Sequence, residues 1–275
     1  MTSVSVVIPS ADGWRGGNVP RLVEAARSAL GPDAEVVVVQ GVRPCAAAHN
    51  EGARRAQGEL LLFLDDDVIP EGPATLRLLV ETLVDPTIGI AGAAQVPPPP
   101  RNAFQRWWTH ASDRAAFRPV ESVTDSDMAT HAAMAIRRSV YREVGGEPAA
   151  CWRADDQVLR ARVREAGYRV VVVPGCLVFH PAPPGWSGYL RRRVRDGIAA
   201  AHDARVAPEA IVDLSPDGGA RWGTRRTRAR RARDWFVRSA RAFGAGDMAF
   251  LVSRAAYAFG YGAGALFPGR FRNPL

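Results

Sequence analysis

The chain has 275 residues, 47% apolar and 23% charged, enough to bury a substantial core as one large domain or one domain with a C-terminal appendage. All 36 basic residues are arginine and the formal net charge is +8. Either arginine excess is a compositional bias, or the protein favours anionic partners such as nucleotide diphosphates, nucleic acid or an anionic membrane. The three cysteines, Cys45, Cys151 and Cys176, are too few and too scattered for a disulfide framework or a paired-cysteine metal site, and they suit a reducing cytoplasm.

The first ten residues, MTSVSVVIPS, lack the basic and long apolar regions of a signal peptide and read as a strand that begins at once. Residues 4–9 and 35–40 are β-branched runs without alternation, the pattern of strands covered on both faces, and residues 59–65 form a third. Between the first two, residues 18–30 predict a helix with Asn18 as its cap, Pro20 in its first turn and Gly31-Pro32 as its stop. A second helix fits residues 46–57, ended by Gly58. This β-α-β-α-β order predicts a parallel sheet with right-handed crossovers, whose ligands bind beyond the carboxyl ends of the strands.

A helix over residues 71–85 and a strand over 88–96 follow, and then Pro97 to Pro100 form a stiff connector into a less regular stretch, residues 101–130. Trp107 and Trp108 in that stretch read as packing residues or as platforms for sugar rings. Residues 131–146 predict a strand and a short helix stopped by Gly145 and Gly146. A helix from Asp155, a stop at Gly167 and another strand come next. Toward the end, residues 221–241 pack arginines between Trp222 and Trp235. Residues 248–267 are apolar but carry Arg254 and several glycines, the mark of a buried or interfacial helix rather than a membrane span.

The segment LLLFLDDDVIP ends a buried strand in three carboxylates, which repel one another and lose hydration unless a cation compensates them. Asp65 and Asp67, two apart on extended chain, point the same way, and Asp66 points elsewhere. Two hard oxygen ligands with room for phosphate oxygens and water suit Mg²⁺ or Mn²⁺, whereas the alternative is a solvated acidic turn before a helix.

The segments SVVIPS, HNEGARRAQGELLLFLDDDV, AIRRSVYREVGG, DDQVLRARVREAGYRVVVVP and FH, in that order, resemble family 2 glycosyltransferases of the GT-A fold over residues 4–200. The resemblance implies an α/β fold, a Rossmann-like, mostly parallel sheet with flanking helices, plus a C-terminal helical tail. Residues 1–205 would be the GT-A domain, with a nucleotide-sugar-binding half at 1–95 and an acceptor and catalytic half at 101–205. Residues 206–275 would be a basic helical extension. On this reading Asp65 and Asp67 are the DxD pair that holds Mn²⁺ or Mg²⁺ against the donor diphosphate, and Asp66 lies near the sugar or ribose.

Asp155 and Asp156 resemble the ED motif, with Asp156 as general base for an inverting displacement; helix capping is the structural alternative for both. His180 falls where the family places a histidine on the metal or diphosphate, and Arg192 and Arg195 where basic residues grip the diphosphate. A satisfied structural histidine and a solvated basic face are the plainer readings. Pro9, at the end of the first strand, joins the donor side. Gln40 stands where relatives carry an aspartate, Asp12 either replaces that carboxylate or forms a turn, and Asn50 either orders the donor loop or lies on a helix surface. Gly145-Gly146 resemble the turn that shapes the acceptor side.

The expectation is a cytoplasmic, membrane-peripheral, metal-dependent inverting glycosyltransferase. Its partners are a nucleotide-diphosphate sugar donor, an unnamed hydroxyl acceptor (glycan, lipid-linked or small molecule) and, through the tail, an anionic membrane surface. Two other classes compete. Nucleic-acid binding by the arginine-rich segment leaves the acidic strand end unexplained. A phosphotransferase of the haloacid dehalogenase type places its aspartate pair on the first core strand, whereas here two strands precede it.

Overall fold

Apolar runs on the inner strands decide the architecture. β1 (Val4–Ser10) and β3 (Leu60–Leu64) lie side by side and parallel. Every residue of β3 is buried, so its two faces need two separate covers. Leu60, Leu62 and Leu64 pack with Val6, Ile8 and the inward faces of α1 (Asn18–Leu30) and α3 (Pro73–Thr82). Leu61 and Phe63 pack on the other side with α2 (Cys45–Arg55), α5 (Arg138–Glu143) and α6 (Asp155–Glu165). Full burial of a side chain such as Phe63 stabilises the fold by roughly 1.5–3 kcal/mol.

The computed structural model describes residues 3–111, 118–153, 155–208 and 228–271. The remaining strands are β2 (Glu35–Gln40), β4 (Ile69–Pro70), β5 (Ile88–Val96), β6 (Thr124–Asp125), β7 (Ala133–Arg137) and β8 (Arg169–Phe179). The sheet order is β2-β1-β3-β7-β5-β8-β4, with β6 beside β8. The predicted parallel β-α-β-α-β unit is present, and β5 also runs parallel to β8. β7 is inserted antiparallel between β3 and β5. β2 is an edge strand on which Val39 alone is fully buried, so its apolar run is half-covered rather than covered on both faces.

Two further local readings change. Asn18 is not the cap of α1, a place taken by Gly17; its side chain donates instead to the carbonyls of Asp66 and Val68, at 2.9 Å each. The stretch after the prolines contains a regular helix, α4 (Ala103–Ala111). Trp108 is buried, and Trp107 packs with Phe104, Trp186 and Tyr189, so both tryptophans take the packing role. All three cysteines are free thiols.

After β8, α7 (Trp186–Val206) is followed by α8 (Arg228–Gly244) and α9 (Met248–Leu266). Two glycines of α9, Gly260 and Gly264, serve close packing on α7. A Cβ on Gly260 would stand 2.0 Å from the Val194 carbonyl oxygen, and one on Gly197 would stand 2.2 Å from that of Tyr257. Small residues let two helix backbones touch, which is why this apolar segment settles on a neighbour. No helix among the described residues is long and apolar enough to cross a membrane.

Candidate active site

The three aspartates leave β3 in a turn that the rest of the chain straps in place. The Asp65 N–H donates to the His131 carbonyl at 3.1 Å, and Asn18 holds the carbonyls on either side of Asp67. β8 supplies the facing wall. Against Ala93 alone on β5, β8 has Val173 to Cys176, a bulge between the pairs Gly92–Val172 and Ala94–Leu177. Beyond it, Phe179 pairs with Ile69, which sets His180 alongside the aspartate turn. His180 Nε2 lies 3.6 Å from Asp67 Oδ1, and donor atoms of Asp65, Asp67 and His180 gather within 4.8 Å of one another.

Asp66 is not part of this gathering and is held on the side of β1 instead. It accepts a hydrogen bond from Ser10 Oγ at 2.7 Å, and burial raises its pKa against the opposing pull of Ser10 and Arg15. Part of the compensating cation comes from the chain itself. Arg15 Nη2 donates to Asp67 Oδ2 at 3.1 Å, and its Nε lies 3.4 Å from Asp66 Oδ1. Arg15 reaches them from a left-handed backbone conformation with φ +46°, unusual for a residue with a side chain. Asp12 stabilises that loop by accepting the N–H groups of Trp14 and Arg15 at 2.9 and 2.8 Å, which lower its pKa. Asp12 therefore serves as a turn former here.

A second group of donors adjoins the first through His131. While its carbonyl holds Asp65, its imidazole stacks on His49 with centroids 4.1 Å apart and meets Glu147 Oε1 at 2.7 Å. His49 Nδ1 meets the other Glu147 oxygen at 3.0 Å. Burial alone would suppress these charges, but the His131–Glu147 attraction prevails, raising His131 to about 10 and lowering Glu147 to about 2. Asp155 completes the set, with donor atoms of all four residues within 4.8 Å. Its carboxyl is pushed upward by burial and by the charge of Glu147.

Asp156 differs from its neighbour. Its Oδ2 accepts from Arg160 Nη1 at 2.8 Å, and that guanidinium also donates to the Ala129 carbonyl at 2.8 Å. Burial would raise its pKa, yet the charges of Arg160 and His131 bring it below the ordinary aspartate value. Asp156 is half-buried, whereas Asp155 is buried and accepts the Asp156 N–H. Of the two, Asp156 is the carboxylate paired with a cation and the less deeply buried.

Comparison with known proteins identifies the family and the fold. The sequence profile described as "Glycosyltransferase like family 2" matches residues 5–199. The chain belongs to that family. The family's transferase enzymes thus set the frame for the site, and the aspartate pair follows the third strand rather than the first. A pre-mycofactocin glycosyltransferase of Mycobacterium tuberculosis is 30% identical over 179 residues, 64% of this chain. The chain spans 38% of that relative's length. Among solved structures, a Pyrobaculum calidifontis mannosyltransferase in complex with GDP-Man and Mn²⁺ superposes with a TM-score of 0.56 at 18% identity. The match covers 98% of this chain and 88% of the mannosyltransferase, and shows the GT-A fold.

Within this family member, the remaining expected residues divide into two groups. Pro9 is the next-to-last residue of β1 and Gln40 the last of the adjacent β2, and Gln40 Oε1 would lie 3.1 Å from a Cβ on Gly13, so Gln40 borders the loop that carries Arg15. Asn50 is committed elsewhere: it bonds both the N–H and the carbonyl of Glu147 and accepts from Tyr141. A Cβ on Gly146 would stand 2.6 Å from Asn50 Oδ1, and Gly146 has φ +64°, so glycine is required twice over. Arg192 and Arg195 lie exposed on α7. Arg15, His49, His131 and Glu147 were not singled out from sequence. Glu147 follows the Gly145-Gly146 turn directly, which was the available clue.

Proposed function

We propose that the protein is a metal-dependent, inverting glycosyltransferase that moves a sugar from a nucleotide-diphosphate donor to an acceptor hydroxyl. The observation that supports it most is the gathering of Asp65, Asp67 and His180 within 4.8 Å, at the carboxyl end of the sheet, in a chain of this family. Two carboxylates and an imidazole fit Mn²⁺ or Mg²⁺, which when bound would neutralise charge on the departing diphosphate. Arg15 places a guanidinium fork beside the same carboxylates, suited to phosphate oxygens. Arg192 and Arg195, on the helix that follows His180, are further candidates for the diphosphate.

Asp156 takes the proton of the acceptor hydroxyl, whose oxygen attacks the anomeric carbon as the bond to the donor phosphate oxygen breaks. The electron pair leaves with the diphosphate, and attack from the opposite face inverts the configuration. Arg160 orients the base and keeps it ionised, so that near neutral pH it stands in the form that accepts a proton. The donor side of the site draws on residues 1–95 together with His180 and α7 from the second half, and the base comes from that second half, residues 101–205.

A thermal-shift panel of nucleoside diphosphates, each with and without Mn²⁺, tests this reading, with GDP and UDP as first probes. Stabilisation that requires both nucleotide and metal, and that Asp67→Ala abolishes, is the expected result. Stabilisation by oligonucleotides in the absence of metal would overturn it in favour of nucleic-acid binding.

A further inference from the structure

The C-terminal helices carry apolar side chains that the fold does not cover. α9 spends its small residues on α7, where Gly260, Gly264 and Ser253 are buried. Its opposite positions Met248, Val252, Phe259 and Leu266 follow helical spacing and are exposed, Phe259 by 72% and Leu266 by 75%. α8 repeats the pattern, with Phe236 and Phe243 seven residues apart and exposed by 68% and 73%. Arg254 fastens α8 to α9. Its Nε donates to Ser239 Oγ and its Nη2 to the Trp235 carbonyl, both at 3.0 Å, while the guanidinium lies over the Trp235 ring at 5.0 Å.

Charge identifies what such a surface would meet. The α8 sequence RARRARDWFVRSARAFG has six arginines and one acid; Arg233, Arg238 and Arg241 are exposed, Arg233 next to Phe236 and the other two around the helix from the phenylalanines. A second copy of this chain would bring one cationic helix against another, whereas an anionic bilayer offers acyl chains for the aromatics and phosphates for the arginines. We infer that α8 and the outer face of α9 form a docking surface for anionic lipid membranes, with Phe236, Phe243, Phe259 and Leu266 inserted at the headgroup boundary.

The attachment bears on the site. Trp107 Nε1 donates to Asp247 Oδ1 at 3.0 Å, which pins the start of α9 to α4 and to the aromatic group around Trp186. α4 and α7 follow β5 and β8, the strands that end beside the acidic turn. Docking therefore holds the site near the headgroups. The lipid contact does not depend on the glycosyl-transfer reading, because vesicle binding is measured without donor or acceptor.

The test is co-sedimentation of the full chain with phosphatidylcholine vesicles, with and without phosphatidylglycerol, over a range of salt. Binding to the anionic vesicles alone, weakening as salt rises, is expected. Phe236→Ser with Phe243→Ser, and separately Arg233→Gln with Arg238→Gln and Arg241→Gln, should each weaken it about tenfold or more at unchanged circular dichroism. If the first pair loses helicity, Phe259→Ser on the α7-anchored helix supplies the apolar arm. Equal binding to neutral vesicles, no binding at low salt, or a dimer in light scattering that the same phenylalanine changes dissolve would each overturn the inference.

Discussion

The acidic turn and the neighbouring buried network use the same donor types at similar spacing. Asp65, Asp67 and His180 are partly exposed and short of positive charge, with Arg15 reaching in from a mobile-length side chain on the surface. His49, His131, Glu147 and Asp155 are buried, and there each Glu147 oxygen already faces an imidazole. A carboxylate matched inside the protein contributes to the fold, and one left short of compensation at the rim is available to a ligand. Burial and pairing, rather than residue type, separate the two groups.

Substitutions can break that contrast. The largest effect is expected at the rim and the base: Asp67→Ala and Asp156→Asn should each lower kcat about a hundredfold or more in a donor-turnover assay. Asp67→Ala should leave the urea midpoint nearly unchanged. In the buried network the order reverses. Glu147→Ala strands two buried imidazoles and should cost about 3–5 kcal/mol in urea denaturation, and a cost near zero would show the pairing to be unimportant.

The pH dependence of stability sharpens the same point. Glu147, lowered from 4.5 to about 2, contributes stability that is complete above pH 4.5 and is lost as pH falls toward 2. His131, raised from 6.5 to about 10, contributes stability that is complete below pH 6.5 and is lost as pH rises toward 10. The urea midpoint should fall on both flanks, and His131→Asn should flatten the alkaline one. The smallest effect is expected from Arg15→Ala, a several-fold rise in donor KM with tighter Mn²⁺ binding to the free protein, read by calorimetry.

Local pattern carried much of this architecture. VSVVIP and LLLFL read as strands because both are sealed between helices, so nearly every position is apolar. The antiparallel β7 was less legible, because strand order in a sheet depends on partners far along the chain. α4 was hidden by the prolines before it, although Phe104, Trp107 and Trp108 already lay at helical spacing. At the site, the aspartates and His180 were legible as types at strand ends. Arg15 was not, since its role arises from a left-handed turn that brings it across to residues fifty-odd positions away.

The order of residues by itself determined that a buried apolar run would end in acids, that the strands and helices would alternate, and that the family would be recognisable. Tertiary structure alone decided which cation meets those acids, which of Asp155 and Asp156 remains open, and that Glu147 ties two histidines together. Strand and helix propensity act over a few neighbouring residues. Charge pairing and burial act across contacts such as His49–Glu147, 98 positions apart, and exist only once the chain has closed on itself.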